Sequence, residues 1–156
     1  MKRRVNSGGG LAFLVLALAL GWAAREVVHA QERAKVVESK TVTLDQVAME
    51  TYKDGESVVG TAGAYFTGDT AGTKNFITGR FVLESGKTPH APHKHVEEEV
   101  MIVESGTGEI YCDGKTTPVG PGSVMYTAPM APHGIVNTGK TPLVFYFIKW
   151  DARGRD

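Results

Sequence analysis

Residues 86–106 read GKTPHAPHKHVEEEVMIVESG, and residues 122–137 read GSVMYTAPMAPHGIVN. Four of the chain's five histidines lie in these two segments: His90, His93 and His95 in the first, His133 in the second. Strand side chains alternate faces, so His93 and His95 on an extended chain point to one side. Glu99 shares that side if the chain stays extended. His133, arriving from a distant strand, would complete a shell of three imidazoles and one carboxylate. Neutral imidazole and carboxylate suit a divalent transition metal: Zn, Fe, Mn, Ni or Cu.

Outward from these segments the pattern is β from Leu44 on. Phe76–Glu84 alternates, with Ile77, Phe81 and Leu83 on one side and Thr78, Arg80 and Glu84 on the other. Val58–Phe66, Val100–Val103, Glu109–Cys112, Val124–Thr127 and Ile135–Val136 read as further strands. Asp113-Gly114 is a strong two-residue hairpin signal. Leu143–Trp150 (LVFYFIKW) is apolar on both faces, which predicts cover from the barrel core on one side and from another sheet or a second subunit on the other. Short strands with closely spaced Gly and Pro punctuation, and no long helical period, imply an antiparallel sandwich or barrel.

At 156 residues and 42% hydrophobic, the chain is one ordinary domain with an N-terminal extra. Its formal charge of zero hides an asymmetry, because residues 1–30 hold Lys2, Arg3, Arg4 and Arg25 against Glu26 alone. The remainder is mildly acidic with no basic run, so nucleic acid is not expected. The basic start and the apolar run Leu11–Ala24 resemble a secretory signal, too short to span a bilayer. Cleavage after Ala30 is expected, with export to the periplasm or medium; an uncleaved membrane anchor is the alternative. Residues 31–44 read as a linker or short helix, and 45–152 as the barrel. Cys112 is the only cysteine, so no intrachain disulfide forms, and it reads as a small buried hydrophobe.

The two histidine segments resemble the paired motifs of the cupin superfamily, G-x5-H-x-H-x3/4-E-x6-G and G-x5-P-x-G-x2-H-x3-N. Gly86, His93, His95, Glu99 and Gly106 match the first, with six residues rather than five before His93. Gly122, His133 and Asn137 match the second, while Ala128 replaces its proline and Met130 its glycine. A glycine at 130 would permit positive φ at low cost and methionine would not, which puts the aim of His133 in question. The resemblance covers about Ile77–Trp150. It implies an all-β, antiparallel double-stranded β-helix, the jelly-roll cupin barrel, and a homodimer. It also implies a metal held by His93, His95, Glu99 and His133, with Asn137 a structural strand-end residue.

Other residues take their expectations from position. His90 shares the loop with His93 and is assigned a place beside the ligands. Met101 and Val103 share the parity of Glu99, and with Ile135 they are the expected walls of an apolar pocket. Tyr126, Tyr146 and Arg80 are the remaining candidate proton donors or anion clamps. Glu97 and Glu98 are expected to be solvated. No Ser–His–Asp set, phosphate-cradling loop or CxxC pair is present. Two functions fit: a metal-dependent dioxygenase, decarboxylase or isomerase acting on a small oxygen-rich molecule, or a non-catalytic cupin that binds or senses a metal or small ligand. Fold and ligand set do not choose between them.

Overall fold

The computed structural model describes residues 36–152. The signal or anchor reading of residues 1–30 and part of the 31–44 linker lie outside the described residues. A 3-10 turn spans Leu44–Gln46, where Thr43 and Gln46 form a capping box.

Among the described residues nine strands follow: β1 (Glu50–Asp54), β2 (Ser57–Gly68), β3 (Thr73–Leu83), β4 (Glu98–Ser105), β5 (Gly108–Cys112), β6 (Lys115–Val119), β7 (Val124–Thr127), β8 (His133–Val136) and β9 (Leu143–Ala152). They form a six-stranded sheet in the order β1-β2-β3-β9-β4-β7 and a three-stranded sheet in the order β6-β5-β8, with every pair antiparallel. The strand pattern predicts an antiparallel sandwich or barrel, and the jelly roll that the resemblance implies is present. β1 and β6 are additions to that pattern, since both lack an apolar stripe and are largely exposed.

The core lies between the sheets. Val59, Phe81, Leu83, Met101, Val103, Met125, Leu143 and Phe145 come from the large sheet, Ile110 and Ile135 from the small one. Phe81 and Phe145 are register partners whose rings stack 5.4 Å apart. Gly79 lies opposite Phe147, whose ring occupies the space a Cβ at 79 would need. Cys112 is half-buried against this core, not fully buried.

β9 is apolar on both faces for two reasons. Phe145 and Phe147 face inward, while Tyr146 and Ile148 are register partners of Ile102 and Val100 on the outer face. Next to these, Tyr126 and Val124 extend the outer apolar face and are 56% and 65% exposed.

Turn chemistry explains how the chain reverses. Asp113 and Gly114 both have positive φ, 46° and 85°, as a type I′ hairpin requires. Asn137 is fully buried, and its amide donates to the carbonyls of Leu83 (2.8 Å) and Thr141 (2.9 Å) while its Oδ1 accepts from Gly139 N–H (2.9 Å). It therefore fastens the end of β8 to the end of β3, the structural role assigned to it.

The sequence Ala128-Pro129-Met130-Ala131 closes a turn through Ala131 N–H to Ala128 O at 3.1 Å. Met130 adopts φ 63°, the left-handed conformation, despite its side chain. The motif's backbone shape is thus kept without the motif's glycine, and His133 is delivered correctly. Two features hold the turn: proline in the second position, and a 2.7 Å hydrogen bond from Met130 N–H to His95 O. An L-residue in this region costs about 1–2 kcal/mol, against roughly 0.5–1 kcal/mol of extra chain entropy for glycine. Met130→Gly is therefore expected to stabilise the protein by about 1 kcal/mol, read as a melting temperature higher by a few degrees. An unchanged or lower melting temperature would show that the methionine side chain contributes more than the strain it causes.

Candidate metal centre

The expected single extended run from His93 to Glu99 is not what forms. His93 sits in an isolated bridge, the chain bends at Val96–Glu97, and β4 begins only at Glu98. Convergence comes instead from pairing across the barrel. His93 N–H donates to His133 O (3.0 Å) and His133 N–H to His93 O (2.9 Å). Paired residues of an antiparallel ladder present side chains on one face, so the two rings meet, with centroids 4.8 Å apart. His95 joins them, its ring 4.8 Å from that of His133. One nitrogen from each of His93, His95 and His133 lies within 4.8 Å of the others, a set able to hold a metal ion.

Glu99 stands at the centre. Its Oε2 is 3.0 Å from His95 Nε2 and 3.1 Å from His133 Nε2. On the far side of each ring, His133 Nδ1 lies 2.9 Å from Ala131 O, and His95 Nδ1 lies 3.0 Å from Glu97 O and 3.2 Å from Glu97 Oε2. Those oxygens only accept, so each Nδ1 carries its hydrogen and each Nε2 of a neutral ring presents a lone pair. A lone pair facing the Glu99 carboxylate at 3.0 Å is held only by a cation between them, either a proton or a metal ion. Neighbouring donors of an octahedral ion with bonds of about 2.1 Å are themselves roughly 3.0 Å apart.

Ionisation follows the same geometry. Burial works against the Glu99 carboxylate, but hydrogen bonds from His133 and His95 outweigh it and hold its pKa below the usual range. The hydrogen bond to Glu99 raises the pKa of His133 against the effect of burial. Burial, followed by the neighbouring rings of His90, His133 and His95, lowers His93 to about 4. His93 is thus a neutral imidazole at ordinary pH, and its Nδ1 is buried without any hydrogen-bond partner. An unsatisfied buried ring nitrogen within this cluster fits a metal site.

His93, His95 and Glu99 line a cavity of about 210 Å³, while His133 is buried behind them and does not line it. Met101 and Ile135 line it as expected, along with Ile77, Phe81, Phe145 and Phe147. Val103 does not: although it shares the parity of Met101, it sits deeper and is buried in the core. His90 lines the cavity beside the ligands, its ring 4.1 Å from that of His93.

The three candidate clamps are all elsewhere. Arg80 Nε pairs with Glu104 at 2.9 Å, Tyr126 donates to Glu98 at 3.1 Å, and Tyr146 lies against Tyr65. Their register places them on the outer face of the large sheet, away from the cavity. The polar groups that do reach the cavity, besides the histidines and Glu99, are Lys149 and Tyr52. Lys149 was legible in principle, because Phe145, Phe147 and Lys149 share one parity on β9. Glu97 was expected to be solvated; it is half-buried and braces His95 from behind.

Comparison with known proteins agrees with this architecture. Residues 79–149 match the family model described as Cupin domain. No curated protein sequence matches the chain. Among solved structures, an RmlC-like cupin from Shewanella frigidimarina is similar with a TM-score of 0.59 and 17% identity, over 75% of this chain and 95% of that one. A predicted oxalate decarboxylase from Thermotoga maritima has a TM-score of 0.56 and 22% identity, over 72% of this chain and 99% of that one. KdgF from a Halomonas species has a TM-score of 0.59 and 15% identity, over 75% and 97%. At these identities the likeness is one of fold. The barrel of this chain thus has the jelly-roll fold of these cupin structures, and its residues 79–149 are similar to the Cupin domain.

Proposed function

We propose that the protein is an exported metal-dependent cupin enzyme acting on a small oxygen-rich molecule, with His93, His95, His133 and Glu99 as ligands. The observation that carries the reading is the pair of acceptor–acceptor contacts at Glu99, opening onto an apolar cavity of about 210 Å³. Export rests on the Leu11–Ala24 run and its basic start alone. A divalent ion there would polarise a carbonyl or enolate or, if redox-active, support oxygen chemistry.

The chain's own groups have definable tasks. Ala131 O and Glu97 fix the ring orientations of His133 and His95, as supporting acceptors do for metal-bound imidazoles. Ile77, Phe81, Phe145 and Phe147 exclude water from the ligand. His90 Nδ1 contacts Ala91 O at 3.0 Å, which leaves Nε2 as the nitrogen free to take a proton. Fold neighbours named as a predicted oxalate decarboxylase, KdgF and a polyketide cyclase span different reactions, so dioxygenase, decarboxylase and isomerase activities all belong in the screen.

A second copy of the chain is the proposed cover for the outer apolar face around Tyr126, Val124, Ile148 and Tyr146. Sedimentation is expected to give roughly twice the 16.7 kDa chain mass, and Ile148→Glu to give the monomer. A wild-type protein that sediments as a monomer contradicts the dimer.

Zinc titration tests the site. About one ion per chain is expected, with at least about 10–100-fold weaker binding in His133→Ala. The raised pKa of His133 and the lowered pKa of Glu99 mean that their pairing stabilises the metal-free protein below pH 6.5 as long as Glu99 stays ionised; it is lost as pH rises through the folded His133 value or falls through the folded Glu99 value. Zinc must displace that proton, so affinity falls as pH is lowered and calorimetry records proton release. Stoichiometric zinc binding unaffected by His133→Ala removes this site. Oxygen-uptake and carboxylic-acid turnover screens of the metal-loaded protein test the enzyme claim, and silence across the panel with the metal in place makes it a binding module.

A further inference from the structure

We propose that Lys149 is the anion-recognising residue of the cavity and that its ligand is a small monocarboxylate with an apolar body. The inference rests on the metal reading for the ligand's second anchor and for the charge count that limits it to one carboxylate; the recognition of an anion by Lys149 does not. Among the residues lining the cavity, Lys149 is the one lysine or arginine. Its Cα is the register partner of Glu99 on one side and of Ile77 on the other, so it stands beside the carboxylate at the centre of the site. Its charged neighbour is Glu97, whose Oε1 lies 4.0 Å from Nζ, too far for a hydrogen bond. The other oxygen of Glu97 is engaged at His95 Nδ1, 3.2 Å away. An ammonium with three donors and, among the described residues, no acceptor at hydrogen-bond distance, beside the apolar walls of the cavity, is a receptor for an anion.

Size and charge narrow the class. A cavity of about 210 Å³ is smaller than the roughly 300–1,000 Å³ of sites for drug-sized ligands, so the ligand is small. With a divalent ion in place, Glu99, Glu97 and Lys149 leave one positive charge in excess, which one carboxylate cancels. A second carboxylate would be left uncancelled in that count, and Ile77, Phe81, Phe145 and Phe147 offer it no hydrogen-bond donor.

The test titrates benzoate and its neutral counterpart benzamide into the full chain, zinc-loaded and chelator-treated, with metal content measured on each sample. The wild type is expected to prefer benzoate by about tenfold or more. Lys149→Met should abolish the preference while keeping the side chain's length, and Lys149→Arg should retain most of it. The proposal is overturned if benzoate fails to bind at tens of millimolar, binds no better than benzamide, or keeps its advantage in a folded Lys149→Met protein. A Lys149-dependent preference in a protein that takes up no zinc would sink the metal reading and leave this one standing. Zinc uptake without a benzoate preference would do the reverse.

Discussion

The two backbone hydrogen bonds exchanged by His93 and His133 are the constraint on which the site depends. They join a loop before β4 to the start of β8, two segments forty residues apart in sequence, in a single antiparallel pair. Everything that follows is positioning relative to that bridge. The Met130 turn hangs from His95 O and feeds the chain into His133, Asn137 fastens the other end of β8, and Glu99 reaches the rings from the second residue of β4.

The bridge places like with like. Two imidazole nitrogens whose lone pairs face one carboxylate oxygen are stable only around positive charge. The protein resolves the conflict by protonation when no metal is present, which is why His133 is pulled up and Glu99 down while His93, without a carboxylate contact, is pushed the other way. The same arrangement that requires a proton in one state would receive a divalent ion in the other. The apolar walls around it make the charge count matter, since low dielectric strengthens each interaction and leaves little tolerance for an unpaired group.

Much of this was legible from spacing and parity. The intervals between His93, His95, Glu99 and His133 identified the residues that converge, and the alternation of β3 identified Phe81 and Leu83 as core. Parity failed where depth mattered: Val103 shares the face of Met101 but lies below the cavity floor. It also went unused where it would have helped. Arg80 and Tyr146 alternate with the inward residues of β3 and β9, so both point outward, whereas Lys149 falls in the inward stripe. Two features were not legible. The bend at Val96–Glu97, which turns Glu97 onto His95, depends on where β4 begins to pair. The left-handed Met130 depends on tertiary hydrogen bonding overriding a local preference.

X-ray absorption spectroscopy of the protein purified without added metal bears most directly on the central claim. The account predicts a bound first-row transition metal in a nitrogen and oxygen shell, with imidazole multiple scattering from the three histidines. That scattering should be reduced in His93→Ala. A metal-free protein that also refuses added zinc, or a shell dominated by sulfur, would contradict it.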